Sequence, residues 1–167
     1  MGSPFAGPDP SGRAGSIAAG PGLPVAGHVD LELPVDALWR TFQDVPGWPR
    51  WNPCIWRARV AGGRPLGEGA AIEWVFNPIR RAYPYKMPAR ATIVEFVPNE
   101  RVTWEVSLPG FHAIHSYRFA ELGEDRSRFG SWEVAEGALF RATSRFWLAH
   151  FRYVCRSSLD GARTLAP

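Results

Sequence analysis

The chain has 167 residues, 46% of them hydrophobic with eight Trp and ten Phe, which suits one domain with a substantial core. No apolar run approaches the ~20 residues of a membrane-spanning helix, and MGSPFAGPDPSG lacks the charged-then-apolar order of a signal peptide, so a cytoplasmic location is expected. The formal charge is +3, and of nineteen basic residues only Lys86 is a lysine; with no DNA- or RNA-binding motif beside it, this balance does not point to a nucleic-acid partner.

In chain order, residues 1–24 are rich in Gly, Pro, Ser and Ala and are expected to be a disordered tail. A folded domain is expected over 25–163, with 164–167 as a short tail. A strand should begin near Gly27, because His28, Asp30 and Glu32 alternate with Val29, Leu31 and Leu33. Pro34 suits the first turn of a helix, and Leu38, Trp39 and Phe42 follow at helical spacing. Pro46 and Pro49 then permit only a short helical turn around Trp48 and Trp51. From Ile55 the pattern is strand and turn: IWRARVAG, AAIEWVF, ARATIVEFV, RVTWEVSL, HAIHSYRFAEL and RFGSWEVAE read as an antiparallel meander. Over 138–162 one long helix is predicted. Phe140, Trp147, Phe151, Val154 and Cys155 form its apolar stripe, and Arg141, Arg145, Arg152, Arg156 and Arg163 form a neighbouring solvated one.

Few catalytic signatures accompany this pattern. Cys54 and Cys155 form no CxxC pair and read as reduced and structural. Four scattered histidines, without HExxH or a Cys/His cluster, give no metal site, and no cofactor is expected. Neither a phosphate-binding GxxxxGK loop nor a GxSxG elbow is present.

Strand, two short helices, six strands and a long helix, with LPVDALWRTFQDVPGWPRWNP at 33–53 and SWEVAEG at 131–137, resembles the START-like (SRPBCC) superfamily. That superfamily includes polyketide cyclases/dehydrases, the birch pollen allergen and lipid-transfer domains. The resemblance implies an α+β helix-grip fold: a seven-stranded antiparallel sheet wrapped around a long C-terminal helix, with two short helices after strand 1 and a cavity between sheet and helix. Trp48 and Trp51 are then expected to seal the seam between the short helices and the long one.

Strand alternation sorts candidates for that cavity. Ile72, Trp74 and Phe76 share one face, as do Val102, Trp104, Val106 and Leu108, and as do His115, Tyr117 and Phe119. The last strand is open. Either Trp132 and Val134 face inward, as apolar burial favours, or Phe129, Ser131, Glu133 and Ala135 do, as alignment with the superfamily on Gly137 favours; Gly130 could hold a bulge that changes the parity. The long loop 77–88 carries Tyr83 and Tyr85 and reads as a lid over the cavity mouth. The candidate catalytic groups are His115, Tyr117 and Glu133, with Tyr117 opposite Glu133 if the hairpin register is even. The candidate ligand contacts are Trp74, Phe76, Tyr83, Tyr85, Trp104, Val106, Phe119, Ser131, Trp147, Phe151 and Val154.

The chain is expected to be a monomer or a homodimer, a choice the sequence leaves open, and by resemblance it is expected to bind a hydrophobic small molecule. Three functions are compatible with it. One is cofactor-independent cyclisation/dehydration by general acid/base chemistry, another a carrier of lipid or hydrophobic metabolite, and the third a protein-interaction module working through an outer surface.

Overall fold

A computed structural model describes residues 24–166. The expected disordered tail lies outside the described residues, apart from its last residue, as does Pro167. Strand β1 (Val25–Leu31) is followed by α1 (Val35–Gln43), a 3-10 turn at Val45–Gly47 and the single turn α2 (Trp48–Trp51). Six strands follow: β2 (Ile55–Val60), β3 (Ala71–Phe76), β4 (Met87–Val97), β5 (Arg101–Leu108), β6 (Phe111–Gly123) and β7 (Arg126–Glu136). Two helices, α3 (Ala138–Ala142) and α4 (Ser144–Arg163), complete the fold. The sheet order is β1-β7-β6-β5-β4-β3-β2, every neighbour antiparallel. This is the seven-stranded helix-grip architecture, with α4 packed chiefly on β1 and β7.

Period-2 alternation decides which face is dry. In β1, Val29 and Leu31 are buried while His28 and Asp30 are exposed. The outer face is held by cross-strand ion pairs. Asp30 accepts two bonds from its register partner Arg128 at 2.6 and 2.9 Å, and Glu73 on β3 accepts from Arg59 on β2 and Arg90 on β4. Such exposed pairs contribute little stability and serve mainly to keep this face wet.

Several element boundaries differ from the sequence reading. Pro34 is extended (ψ 144°) and precedes α1, where its carbonyl accepts from the Ala37 and Leu38 amides. β4 starts at Met87, so the long loop ends at Lys86. The expected single C-terminal helix is broken at Thr143, whose φ of −118° is not helical. Thr143 turns its amide and its hydroxyl back onto Leu139, ending α3, and its carbonyl starts α4 by accepting from Phe146 and Trp147. α3 is itself pinned to the β5–β6 turn, because the Leu139 amide donates to Gly110 O at 2.8 Å. Gly137 makes that contact possible. Its φ is +111°, and a Cβ there would collide with the Gly110 carbonyl.

Helix α4 also meets the elbow 44–55 without a side chain between them. A Cβ added at Gly161 would overlap the Trp51 carbonyl. Gly161→Ala is therefore expected to push α4 from the elbow and cost about 1–3 kcal/mol. A lowered urea midpoint at unchanged m-value is the readout; an unaltered midpoint would show that the two backbones are not in contact.

Candidate active site

Between the concave face of the sheet, the elbow and α4 lies a cavity of about 260 Å³. β3 supplies Trp74 and Phe76, and β5 supplies Trp104 and Val106. α4 supplies Trp147, His150, Phe151 and Val154, which recur at helical spacing along one face. The elbow contributes Trp48, Trp51, Asn52 and Cys54. Trp104 sits among these rings, 5.9 Å from Trp48, 6.0 Å from Trp74, 5.0 Å from His115 and 5.2 Å from Tyr117. Trp48 is fixed from behind by its indole N–H, which donates to Phe42 O at 2.7 Å.

Polar groups enter this apolar space at three places. The first is a pair on neighbouring strands. His115 and Glu133 are register partners, with Nδ1 3.5 Å from Oε2, and the other imidazole nitrogen of His115 lies 3.0 Å from Ser131 Oγ. Burial raises the Glu133 carboxyl to about 8 and lowers His115 to about 3, with a smaller contribution from His150. Both shifts favour the uncharged forms. At neutral pH the pair is neutral, and its proton rests on Glu133.

A second group surrounds Tyr117. Its hydroxyl lies 2.7 Å from Ser158 Oγ on α4, and Asn52 Nδ2 donates to the same oxygen at 3.0 Å. Asn52 Oδ1 in turn accepts from the Cys54 amide and thiol. Burial holds the Tyr117 phenol well above its ordinary range and the Cys54 thiol at about 12, so neither is ionised at neutral pH. The third is His150. Its Nδ1 lies 2.6 Å from Pro78 O and its ring stacks 4.8 Å from Phe76, while burial lowers it to about 4.

Of the candidates named from sequence, the wall brings together His115, Tyr117, Glu133, Trp74, Phe76, Trp104, Val106, Trp147, Phe151 and Val154. It does not include Tyr83, Tyr85, Phe119 or Ser131. Tyr85 is 72% exposed and meets Tyr83 edge-on at 6.3 Å, so these two rings of the loop stand outside the wall. Phe119 is buried under α1, 5.0 Å from Trp39 and 5.1 Å from Phe42. Ser131 faces inward but spends its hydroxyl on His115. Two further expectations are corrected. Tyr117 pairs with Ser131 rather than Glu133, and Trp48 and Trp51 are cavity wall as well as seam. His150, Asn52 and Ser158 were missed. His150 lies three residues after Trp147 and four before Val154, a spacing that places it on their face of α4.

A curved antiparallel sheet closed over a C-terminal helix, with a hollow between them, defines a START-like protein. The family model "Polyketide cyclase / dehydrase and lipid transport" matches residues 24–166, and the chain belongs to that family. No curated protein matches the sequence. Among solved structures, a START superfamily protein from Mycobacterium smegmatis aligns with a TM-score of 0.63 at 14% identity, covering 86% of this chain and 98% of that one. The Zhui aromatase/cyclase from Streptomyces gives 0.63 at 14% identity over 85% and 92%. A hypothetical protein, jhp0584, from Helicobacter pylori gives 0.69 at 15% identity over 87% and 88%. At these identities the likeness is one of fold.

Proposed function

We propose that this protein binds a compact, uncharged hydrophobic molecule in the cavity and promotes its cyclisation or dehydration by proton transfer through the His115–Glu133 pair. The observation that carries the reading is Glu133 itself, buried on the wall of an aromatic hollow with its carboxyl 3.5 Å from the His115 imidazole, where burial raises it to about 8 and so favours the protonated acid at neutral pH. An apolar site that keeps a carboxylic acid neutral makes it a hydrogen-bond and proton donor at pH 7.

For loss of water from a β-hydroxy ketone, the pair works as one unit. It takes a proton from the carbon beside the carbonyl and gives one to the departing hydroxyl. Its proton count is unchanged, and water is the product. Negative charge collects meanwhile on the carbonyl oxygen. With Asn52 donating to Ser158 Oγ, Ser158 can donate to Tyr117, leaving the phenolic proton for that oxygen. The Trp48 and Trp104 rings, which stack, and Trp74, tilted against Trp104, favour a planar or ring-forming substrate.

Polar groups set into an aromatic wall favour this over lipid carriage. About 260 Å³ falls just below the usual ~300–1,000 Å³ of small-molecule pockets and holds the volume of roughly nine waters. That is room for a ring system. Native mass spectrometry of freshly purified protein, followed by incubation with a poly-β-keto thioester, tests the reading. Enzymatic formation of an aromatic chromophore by the parent protein, lost in His115→Ala, supports it. A tightly bound long-chain lipid with no conversion in any form would assign the protein to carriage instead.

A further inference from the structure

His150 sits at the opposite end of the cavity's polar set from Tyr117. Eight residues of α4 separate it from Ser158, about 12 Å of helix rise. Its immediate surroundings fix its chemistry. Pro78 O is a carbonyl and can only accept, so at 2.6 Å the Nδ1 of His150 must carry the proton. The ring is neutral, since burial disfavours the imidazolium. Nε2 is therefore a bare lone pair, and no described residue donates to it. Phe76 stacks on one side of the ring at 4.8 Å, and Trp147 meets it edge-on at 5.7 Å, so the imidazole cannot swing away.

We propose that His150 Nε2 is a ligand-binding site for a hydroxyl group, and that the cavity selects a phenol or enol by this contact. The proposal rests on the reading of the cavity as a ligand site but not on the proton-transfer role of Glu133. Its logic is one of unmet valence. Of the other inward groups, the Glu133 carboxyl and the Tyr117 phenol can donate at neutral pH, His115 is held between Ser131 and Glu133, and Asn52 is held between Ser158 and Cys54; His150 offers an acceptor fixed in place by its own backbone partner. A ligand with a carbonyl near Tyr117 and a hydroxyl near His150 satisfies both ends. A charged ligand finds no counter-ion among the buried His115, Tyr117, Glu133 and His150, and Arg90, which also lines the cavity, is already paired with Glu73. A ligand lacking the hydroxyl would leave the His150 lone pair dry and unpaired, which is what makes such a contact selective.

The test compares naphthol, a bicyclic phenol, with methoxynaphthalene, which has the same rings and no donor, by isothermal titration calorimetry. The parent protein is expected to bind naphthol roughly three- to tenfold more tightly. His150→Phe keeps a ring against Phe76 and should erase that preference, whereas Glu133→Gln should retain it. Because His150→Phe also removes the donor to Pro78 and could perturb the fold, nitrogen-detected NMR of the parent protein provides a second readout. Nδ1 should be protonated in the free protein, and the Nε2 resonance should move on adding naphthol but not methoxynaphthalene. Equal affinity for the two compounds, no binding of naphthol, a preference that survives His150→Phe, or an unmoved Nε2 resonance would each overturn the proposal. Loss of the turnover assigned to His115 and Glu133 would leave these readouts untouched, so the two readings fail separately.

Discussion

Glu133→Gln is expected to lower turnover about 10²–10⁴-fold, the usual contribution of one positioned acid or base, while making the fold less sensitive to alkali. Glutamine keeps the shape of the side chain and removes its exchangeable proton. The sign of the stability effect follows from where the proton sits. The folded state holds the Glu133 proton up to about pH 8, whereas an unfolded chain releases it near 4.5. Between those values the folded state binds more protons, so stability falls as pH rises. His115 and His150, lowered to about 3 and about 4 from an ordinary 6.5, act in the opposite sense, adding stability as pH rises from their folded values to 6.5. An unfolded histidine is still half-protonated at pH 6.5, so the histidine contribution fades over the next pH unit and only the carboxyl contribution remains above about pH 7.5. Between pH 6.5 and 8 the parent protein should lose about 1–2 kcal/mol relative to Glu133→Gln, whose own stability keeps only the small histidine gain. Urea titrations at both pH values, beside the turnover assay, provide the check. A variant that keeps parental turnover would remove Glu133 from the chemistry; parallel pH dependence of the two proteins would show that the carboxyl is solvated.

Trp104→Ala is expected to cost about 3–5 kcal/mol, the range for deleting a buried aromatic from a packed site. The indole touches the elbow through Trp48, the β3 wall through Trp74 and both polar strands through His115 and Tyr117. Its loss merges the cavity with the space it leaves and frees the His115 ring from its neighbour. Affinity for a planar ligand should fall with stability. Denaturant unfolding with and without naphthol separates the two effects. A loss below about 1 kcal/mol would mean the rings around Trp104 collapse into the gap, and that the wall is softer than its stacking suggests.

The fold was legible because its elements carry clean periods. Val29 and Leu31 against His28 and Asp30, or Trp104 and Val102 against Glu105 and Arg101, leave no choice of face. The same parity placed His115 and Tyr117 indoors. It was ambiguous in β7, where burial of apolar area argued for Trp132 and Val134. Those two are half-buried on the outer face, Trp132 beside its register partners Ser116 and Ala26, while Ser131 and Glu133 point in. An interior that is a hollow with hydrogen-bonding groups, rather than a solid core, tolerates the polar set. The register runs unbroken through Gly130, so no bulge there was needed.

Other losses have equally local causes. The tight turn leaves only Glu124 and Asp125 between the paired Gly123 and Arg126, and the irregularity at Glu121/Gly123 sets the frame. That moved Glu133 from Tyr117 to His115 and turned an expected carboxylate–phenol contact into a carboxyl–imidazole pair. Leu108 shares the parity of Trp104 and lines the cavity as that parity predicts, although as the last residue of β5 it is 56% exposed. The break at Thr143 was invisible to a hydrophobic stripe, which continues across it. The helix is split where Thr143 leaves helical φ and turns its amide and hydroxyl back onto Leu139, while α3 is anchored separately by the bond from Leu139 to the Gly110 carbonyl.

The ionisation state of one side chain tests the account most directly. Isotope-edited infrared spectroscopy of protein labelled at its glutamate carboxyls should show, at pH 7, a protonated-carboxyl band that is absent from Glu133→Gln and fades with a midpoint near 8. A spectrum with only carboxylate bands at pH 7, identical in parent and variant, would place Glu133 in water and contradict the neutral acid on which the proposed chemistry depends.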